Sequence, residues 1–227
     1  AGCPAFRECR VTPEVKFCGL TRREDAAHAV ALGASYVGAI FASGPRLLSL
    51  GQASEVFADV PSDVTRVGVF AEQSIDEIAH MAQRLKLGVV QLHGAFDSAR
   101  IASLRRDFRG RIWSVCRVAG TAMPESTEAM LSSSDGVLLD ALVAGAQGGT
   151  GVTIPWSDIA VQLRPLRGES PIILAGGLKP ENVADAIAAL MPDVVDVSSG
   201  VESAPGIKNH DRMRAFHDAV SHASIPT

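Results

Sequence analysis

Eight times along this chain a short apolar run rich in β-branched residues gives way to a polar start signal and then to a helical period. The runs lie at Val15 to Cys18, Tyr36 to Phe41, Thr65 to Phe70, Val89 to Leu92, Ile112 to Val118, Gly136 to Asp140, Pro171 to Ala175 and Val194 to Ser198. Because they are apolar almost throughout rather than alternating, they read as strands buried on both faces, which is the signature of a parallel sheet. Eight strand-then-helix units in 227 residues is the arithmetic of a (β/α)8 TIM barrel. A doubly wound open sheet is the rival, but it usually has fewer strands, and no GxGxxG follows the first one.

Local signals place the intervening helices. Thr21 with Glu24 and Ser74 with Glu77 have the spacing of capping boxes, in which a hydroxyl and a carboxylate satisfy two orphan backbone N–H groups at a helix start. Ile75, Ile78, Ala79, Ala82 and Leu85 fall on one helical face, and Gly88 ends that helix. Asp97 caps a helix reaching Phe108, and Pro180 is placed to open another. Further helices are expected near Gln52 to Asp59, Glu125 to Leu131, Trp156 to Leu166 and Asn209 to His222. A glycine-rich loop, Gly145 to Gly151, follows the sixth strand.

Composition narrows the class further. With 47% hydrophobic and 20% charged residues and a net charge of −4, the chain is an ordinary globular one with no bulk attraction for nucleic acid or anionic membrane. No apolar run is long enough to span a bilayer, and the start lacks a signal-peptide pattern, so a cytoplasmic protein is expected. The four cysteines, Cys3, Cys9, Cys18 and Cys116, form no metal-binding spacing and are read as reduced thiols. Residues 1–14 are read as an expression remnant, a flexible lead-in or the cut end of a longer fusion, and 15–227 as one barrel domain.

In a barrel of this kind the active site is built at the C-terminal ends of the strands. The polar residues found there are Cys18, His93, Asp140, Gly176 with Gly177, and Asp196 to Gly200. Strands 7 and 8 end in small-residue loops that let backbone N–H groups approach an anion, so a phosphate is expected between them. The alternative is that Gly177 and Gly200 only make tight turns. Strands 6 and 1 flank that pair in a closed ring, which sets Asp140 and Cys18 on opposite sides of a bound sugar phosphate. Burial would favour a protonated Asp140, and a nearby helix start would favour the Cys18 thiolate. The bland readings are a loop-anchoring carboxylate and a small buried hydrophobe. Arg46, on the loop after strand 2, is either solvated or a bidentate partner for a carboxylate at the far end of the ligand.

Taken in order, several motifs make the chain resemble phosphoribosylanthranilate isomerases of tryptophan biosynthesis. They are Lys16-Phe17-Cys18-Gly19-Leu20-Thr21, Gln91-Leu92-His93-Gly94, Leu138-Leu139-Asp140 with Gly148-Gly149-Thr150-Gly151, Leu174-Ala175-Gly176-Gly177-Leu178, and Asp196 to Glu202 with Pro205-Gly206 and Lys208. The resemblance implies an Amadori rearrangement of a small-molecule substrate, N-(5-phosphoribosyl)anthranilate, with no metal or organic cofactor. It implies Asp140 as general acid, Cys18 as base and Arg46 on the anthranilate carboxylate. Gly149, Gly177, Asp196, Ser198, Ser199 and Gly200 would line the sugar and phosphate site, with Gln91 and His93 shaping it. It leaves open a monomer, a homodimer, or a fusion or partnership with a neighbouring pathway enzyme. One departure concerns the loop after strand 2, where the family usually has an aromatic residue and a lysine before the arginine. Here it reads Phe41-Ala42-Ser43-Gly44-Pro45-Arg46.

Three neighbouring enzymes compete with this reading. The histidine-pathway isomerase normally uses two aspartates and a substrate with two phosphates; indole-glycerol-phosphate synthase is another barrel of the pathway; ribulose-phosphate epimerase would need several metal-binding histidines where only His93 qualifies. Outside enzymes, a catalytically dead phosphosugar-binding module is the alternative, and retention of Cys18, Asp140 and Arg46 together argues against it.

Overall fold

The computed structural model describes residues 12–141 and 154–223. Eight parallel strands close into a barrel in sequence order: β1 Glu14–Phe17, β2 Tyr36–Ile40, β3 Thr65–Phe70, β4 Val89–Leu92, β5 Arg111–Val118, β6 Val137–Ala141, β7 Ile172–Leu174 and β8 Val194–Val197. Helices α1 Arg23–Ala31, α2 Leu50–Val56, α3 Ile75–Leu85, α4 Ser98–Asp107, α5 Thr127–Ser133, α6 Trp156–Leu163, α7 Val183–Leu190 and α8 His210–His222 follow them in turn. The barrel expected from the eightfold pattern is therefore the observed one. A one-turn 3-10 helix, Ser199–Val201, and a small hairpin, β9 Glu202–Ala204 with β10 Ile207–Lys208, interrupt the last unit.

The period-2 geometry of a strand sorts side chains into two cores. Val15, Phe17, Val37, Val90, Leu139, Val195 and Val197 face outward into the larger core beneath the helices. Tyr36, Val67, Val89, Trp113, Val115, Leu138, Ile173, Ala175 and Val194 fill the barrel interior. Lys16 pairs in register with both Tyr36 and Asp196, so it too points inward. Asp140 pairs with Arg117 on the same inner face. Apolar side chains thus fill most of the inner face, and charged groups stand among them toward the C-terminal mouth.

Several helix boundaries differ from the sequence expectation, each for a local reason. The capping box at Thr21 and Glu24 does not form: Arg22 is the N-cap without a side-chain cap, and the Thr21 hydroxyl donates to the Gly206 carbonyl. The tertiary partner wins over the local one. Helix α3 does carry the Ser74–Glu77 capping box, but Lys86, not Gly88, takes the left-handed cap at φ 52°. Gly88 instead makes room for Thr65, whose Cγ2 would lie 2.8 Å from an added Cβ. Ser49 with Gln52 forms a capping box that starts α2 earlier than expected. Helix α5 starts only after Thr127 has donated to the Pro124 carbonyl. Pro180 sits in the turn before α7, whose N-cap is Asn182. Among the described residues, no helix is long and apolar enough to cross a membrane.

Candidate active site

The C-terminal mouth holds a cavity of about 350 Å³. Cys18, Gln91, His93, Asp140, Asp196, Ser198 and Ser199 supply its polar wall, Ile40, Val69, Leu138, Ala175 and Leu178 its apolar one. Gly176, Gly177 and the loop 42–46 close the rim. A concave, mainly apolar space with a few convergent polar groups is the ordinary form of a small-molecule site.

Strand geometry explains why these side chains meet. Cys18 follows the last residue of β1, yet its N–H still donates to the Val197 carbonyl, which holds the residue in line with the ladder. Its sulfur lies against Gly38 on β2, where an added Cβ would come within 3.0 Å. Asp140 is the penultimate residue of β6 rather than its end, and it is buried. Gln91 and Asp196 face inward from β4 and β8, with His93 one step beyond β4. Gly176 and Gly177 take φ of 79° and 68° in succession, a conformation that requires glycine twice and turns the chain sharply back after β7.

The buried charges are connected. Lys16 is fully buried, and its ammonium donates to Asp196 Oδ2 at 2.7 Å and to Gln91 Oε1 at 3.0 Å. Burial pulls the Lys16 pKa down, but Asp196 and Cys18 together hold it above the ordinary lysine value. Burial pushes the Cys18 thiol up, against the lowering influence of Lys16 and Lys208. This reverses the expectation of a thiolate favoured by a helix start: burial outweighs the two ammonium groups. His93 is pushed down to about 4, first by burial and then by Arg117 and Lys16, so its imidazole is neutral near pH 7.

Three buried polar atoms in this wall have no hydrogen-bond partner among the described residues: His93 Nδ1, Asp196 Oδ1 and Ser198 Oγ. Buried polar groups are nearly always satisfied, so orphans gathered around one cavity point to a ligand that completes them. Among the described residues, no group of three or more His, Cys, Asp or Glu side chains is placed to hold a metal ion.

Arg46 lines the cavity but differs from its expected posture. Loop position puts it at the far end from the anion, whereas its stem crosses Gly19, where an added Cβ would lie 2.5 Å from Arg46 Cδ and 2.9 Å from Ser198 Oγ. Its Nε and Nη2 form a two-pronged pair with Glu202 at 2.7 and 2.6 Å. Lys208 also donates to Glu202, at 2.8 Å, and to the Ser198 carbonyl, at 3.0 Å. One edge of the Arg46 fork is therefore taken by the protein itself, leaving donors on the other edge for a ligand.

Not every residue singled out from sequence lines the cavity. Gly200 packs under the rim: an added Cβ would lie 1.8 Å from the Leu178 carbonyl oxygen, so glycine lets the 3-10 turn seat against the loop after β7. Gly149 and its glycine-rich loop lie outside the described residues. Conversely, Lys16, Glu202 and Lys208 organise the site but carry no role in the sequence reading. A lysine within the apolar run Val15 to Phe17 is the signal that could have marked the first. The other two depend on a hairpin that the strand-and-helix period does not reveal.

Fold and site together define a barrel enzyme with a thiol and a carboxyl set around one small-molecule cavity. Residues 15–219 match the family model described as N-(5'phosphoribosyl)anthranilate (PRA) isomerase. The chain belongs to that family. An N-(5'-phosphoribosyl)anthranilate isomerase of Pseudomonas fluorescens (strain Pf0-1) is 43% identical over 206 residues, 90% of this chain and 97% of that one. A relative from Chromohalobacter salexigens is 41% identical over 93% of this chain and 96% of its own. The phosphoribosyl anthranilate isomerase structure from Thermotoga maritima superposes with a TM-score of 0.83 at 33% identity, over 92% of this chain and 98% of that one. A structure of such an isomerase in complex with reduced 1-(o-carboxyphenylamino)-1-deoxyribulose 5-phosphate superposes with a TM-score of 0.80 at 32% identity, covering 92% and 98%.

Proposed function

We propose that this chain catalyses the Amadori rearrangement of N-(5-phosphoribosyl)anthranilate to 1-(2-carboxyphenylamino)-1-deoxy-D-ribulose 5-phosphate, a step of tryptophan biosynthesis. The observation that carries the reading is the single cavity into which Cys18 and Asp140 both open, beside the double-glycine turn after β7 and the Ser198–Ser199 turn after β8.

Asp140 gives its proton to the ribose ring oxygen, and the C1′–O bond breaks as the anthranilate nitrogen pushes in its lone pair to form an iminium. The Cys18 thiolate then takes the C2′ proton, and the electron pair neutralises the iminium to give an enolamine. Tautomerisation moves a proton to C1′ and leaves the C2′ ketone. The phosphate is held by the small-residue turns at Gly177, Ser198 and Ser199, with Gly200 shaping the second turn. Gln91, His93 and Asp196 orient the sugar, and Arg46 meets the anthranilate carboxylate with the edge that Glu202 leaves open.

Neither a metal nor an organic cofactor enters these steps. The proposal extends to a cytoplasmic protein acting on a small molecule, as a monomer or homodimer, alone or with a neighbouring pathway enzyme. One related structure is of monomers generated from the dimeric isomerase of Thermotoga maritima. Size-exclusion chromatography with light scattering tests the oligomeric part.

The direct test is to supply purified protein with phosphoribosylanthranilate and follow the loss of anthranilate-type fluorescence. Turnover with one Amadori product supports the reading. Tight substrate binding without turnover would instead identify a phosphosugar-binding module.

A further inference from the structure

The buried ammonium of Lys16 has no part in the steps above. It is fully buried in the barrel interior, two residues before Cys18 and on the same inner face of β1. An ammonium has three protons to donate. Two go to Asp196 Oδ2 and Gln91 Oε1, and the charge acts on the Cys18 thiol two residues along the same inner face. Burying a charge costs several kcal/mol unless it is paired and its donors are satisfied. A structural role alone would be served by an apolar residue there, as Tyr36 and Val194 serve in the same interior.

We propose that Lys16 is a positioning residue of the isomerisation, whose buried ammonium stands as counter-charge to the Cys18 thiolate and sets how much of that thiolate the enzyme holds. The inference rests on the reading of Cys18 as the base. Several charged groups surround the sulfur: Lys16 from β1, Asp196 from β8, Lys208 from β10 and Arg46 from the loop after β2, with His93 and Asp140 around the same cavity. Of the groups acting on the thiol, Lys16 is the strongest that favours the thiolate, and Asp196 opposes it. Asp196 therefore competes with Cys18 for one cation. Removing the cation lowers the thiolate fraction, and removing its competitor raises it as long as the Lys16 ammonium keeps its proton.

The test measures Cys18 alkylation by iodoacetamide against pH, followed on the Cys18 peptide by mass spectrometry, together with the pH dependence of kcat. In Lys16→Met the alkylation rate at pH 7 should fall roughly tenfold or more, since each unit of thiol pKa is tenfold in thiolate. The rising limb of kcat should shift to higher pH by the same amount, with KM changed less than about twofold. Asp196→Asn, read on alkylation alone, should accelerate it, and this variant keeps the inference testable where Lys16→Met does not fold. Unchanged alkylation in either folded variant overturns the inference while leaving Cys18 as base intact, even where kcat falls. Near-normal turnover by Cys18→Ala overturns the base assignment itself, whatever alkylation shows.

Discussion

Cys18 and Asp140 share the cavity, and the proposed mechanism asks for opposite protonation states that run against the ordinary values of both at neutral pH. Burial adds to the difficulty at Cys18, whose thiol is held above its usual range. The enzyme should therefore work through a small thiolate fraction, with kcat rising as pH approaches the thiol value. Cys18→Ala and Asp140→Asn should each lower kcat by roughly 10²–10⁴-fold with KM little moved, since each group acts mainly in the transition state. Cys116→Ala is the control: that thiol is buried under the helices, near Thr127, and its removal should leave turnover nearly unchanged. Single-turnover rates on the three variants separate these expectations, and a fast Cys18→Ala would remove the thiol from the mechanism. His93 gives a stability signature. Its folded pKa of about 4 lies below the ordinary 6.5, so between those values the unfolded chain binds a proton that the folded chain refuses. Stability should fall as pH drops through that window and recover above it. Urea titrations at pH 4.5 and 7 should show a smaller difference in His93→Gln. At this scale the sequence was legible where a polar side chain closes an apolar strand, as at Cys18, His93 and Asp196. It misjudged the sign of the Cys18 shift: a helix start was expected to favour the thiolate, whereas burial outweighs the lysine two residues away and raises the thiol.

The hairpin Glu202–Ala204 with Ile207–Lys208 is the element that the repeating strand-and-helix pattern least foretold. Glu202 and Lys208 look like surface charges in sequence, yet the fold turns both inward, and the Glu202 carboxylate is shared between Arg46 and the Lys208 ammonium. The hairpin is thus a clamp on the loop after β2, which Arg46 ties to Glu202 at its C-terminal end. Glu202→Gln should raise KM by roughly tenfold by loosening Arg46, with a smaller effect on kcat, because a contact made equally in ground and transition states changes binding alone. A kcat loss with unchanged KM would contradict this. Beneath the hairpin, Gly200→Ala places a methyl against the Leu178 carbonyl. The 3-10 turn must move, which should cost about 1–3 kcal/mol of stability and weaken competition by inorganic phosphate. Thermal unfolding and inhibition assays read the two effects. Helix starts were legible where side chain and backbone satisfy each other locally, as at Ser74 with Glu77 and at Asp97. They were misread where a distant acceptor claims the hydroxyl, as Gly206 does at Thr21.

For the molecule as a whole, the eightfold pattern foretold a closed ring, and the ring is closed by β1 against β8. Nothing in local patterning could say what the seam would carry. It carries part of the cavity wall: Lys16 and Asp196, 180 residues apart in sequence, are hydrogen-bonded across it, with Cys18 at its upper end. Every other neighbouring pair in the ring is formed by consecutive strands. The seam is therefore the strand pairing of greatest sequence separation, and such contacts form only after a large loop-closure entropy has been overcome. Completion of the site should be the last event on the folding pathway. In refolding from urea, recovery of turnover should lag behind recovery of helical circular dichroism, and the lag should lengthen in a variant that weakens the seam, such as Val195→Ala; simultaneous recovery would place the seam in the folding nucleus. Catalytic activity in this chain would then serve as a clock for ring closure, silent in every partly assembled form.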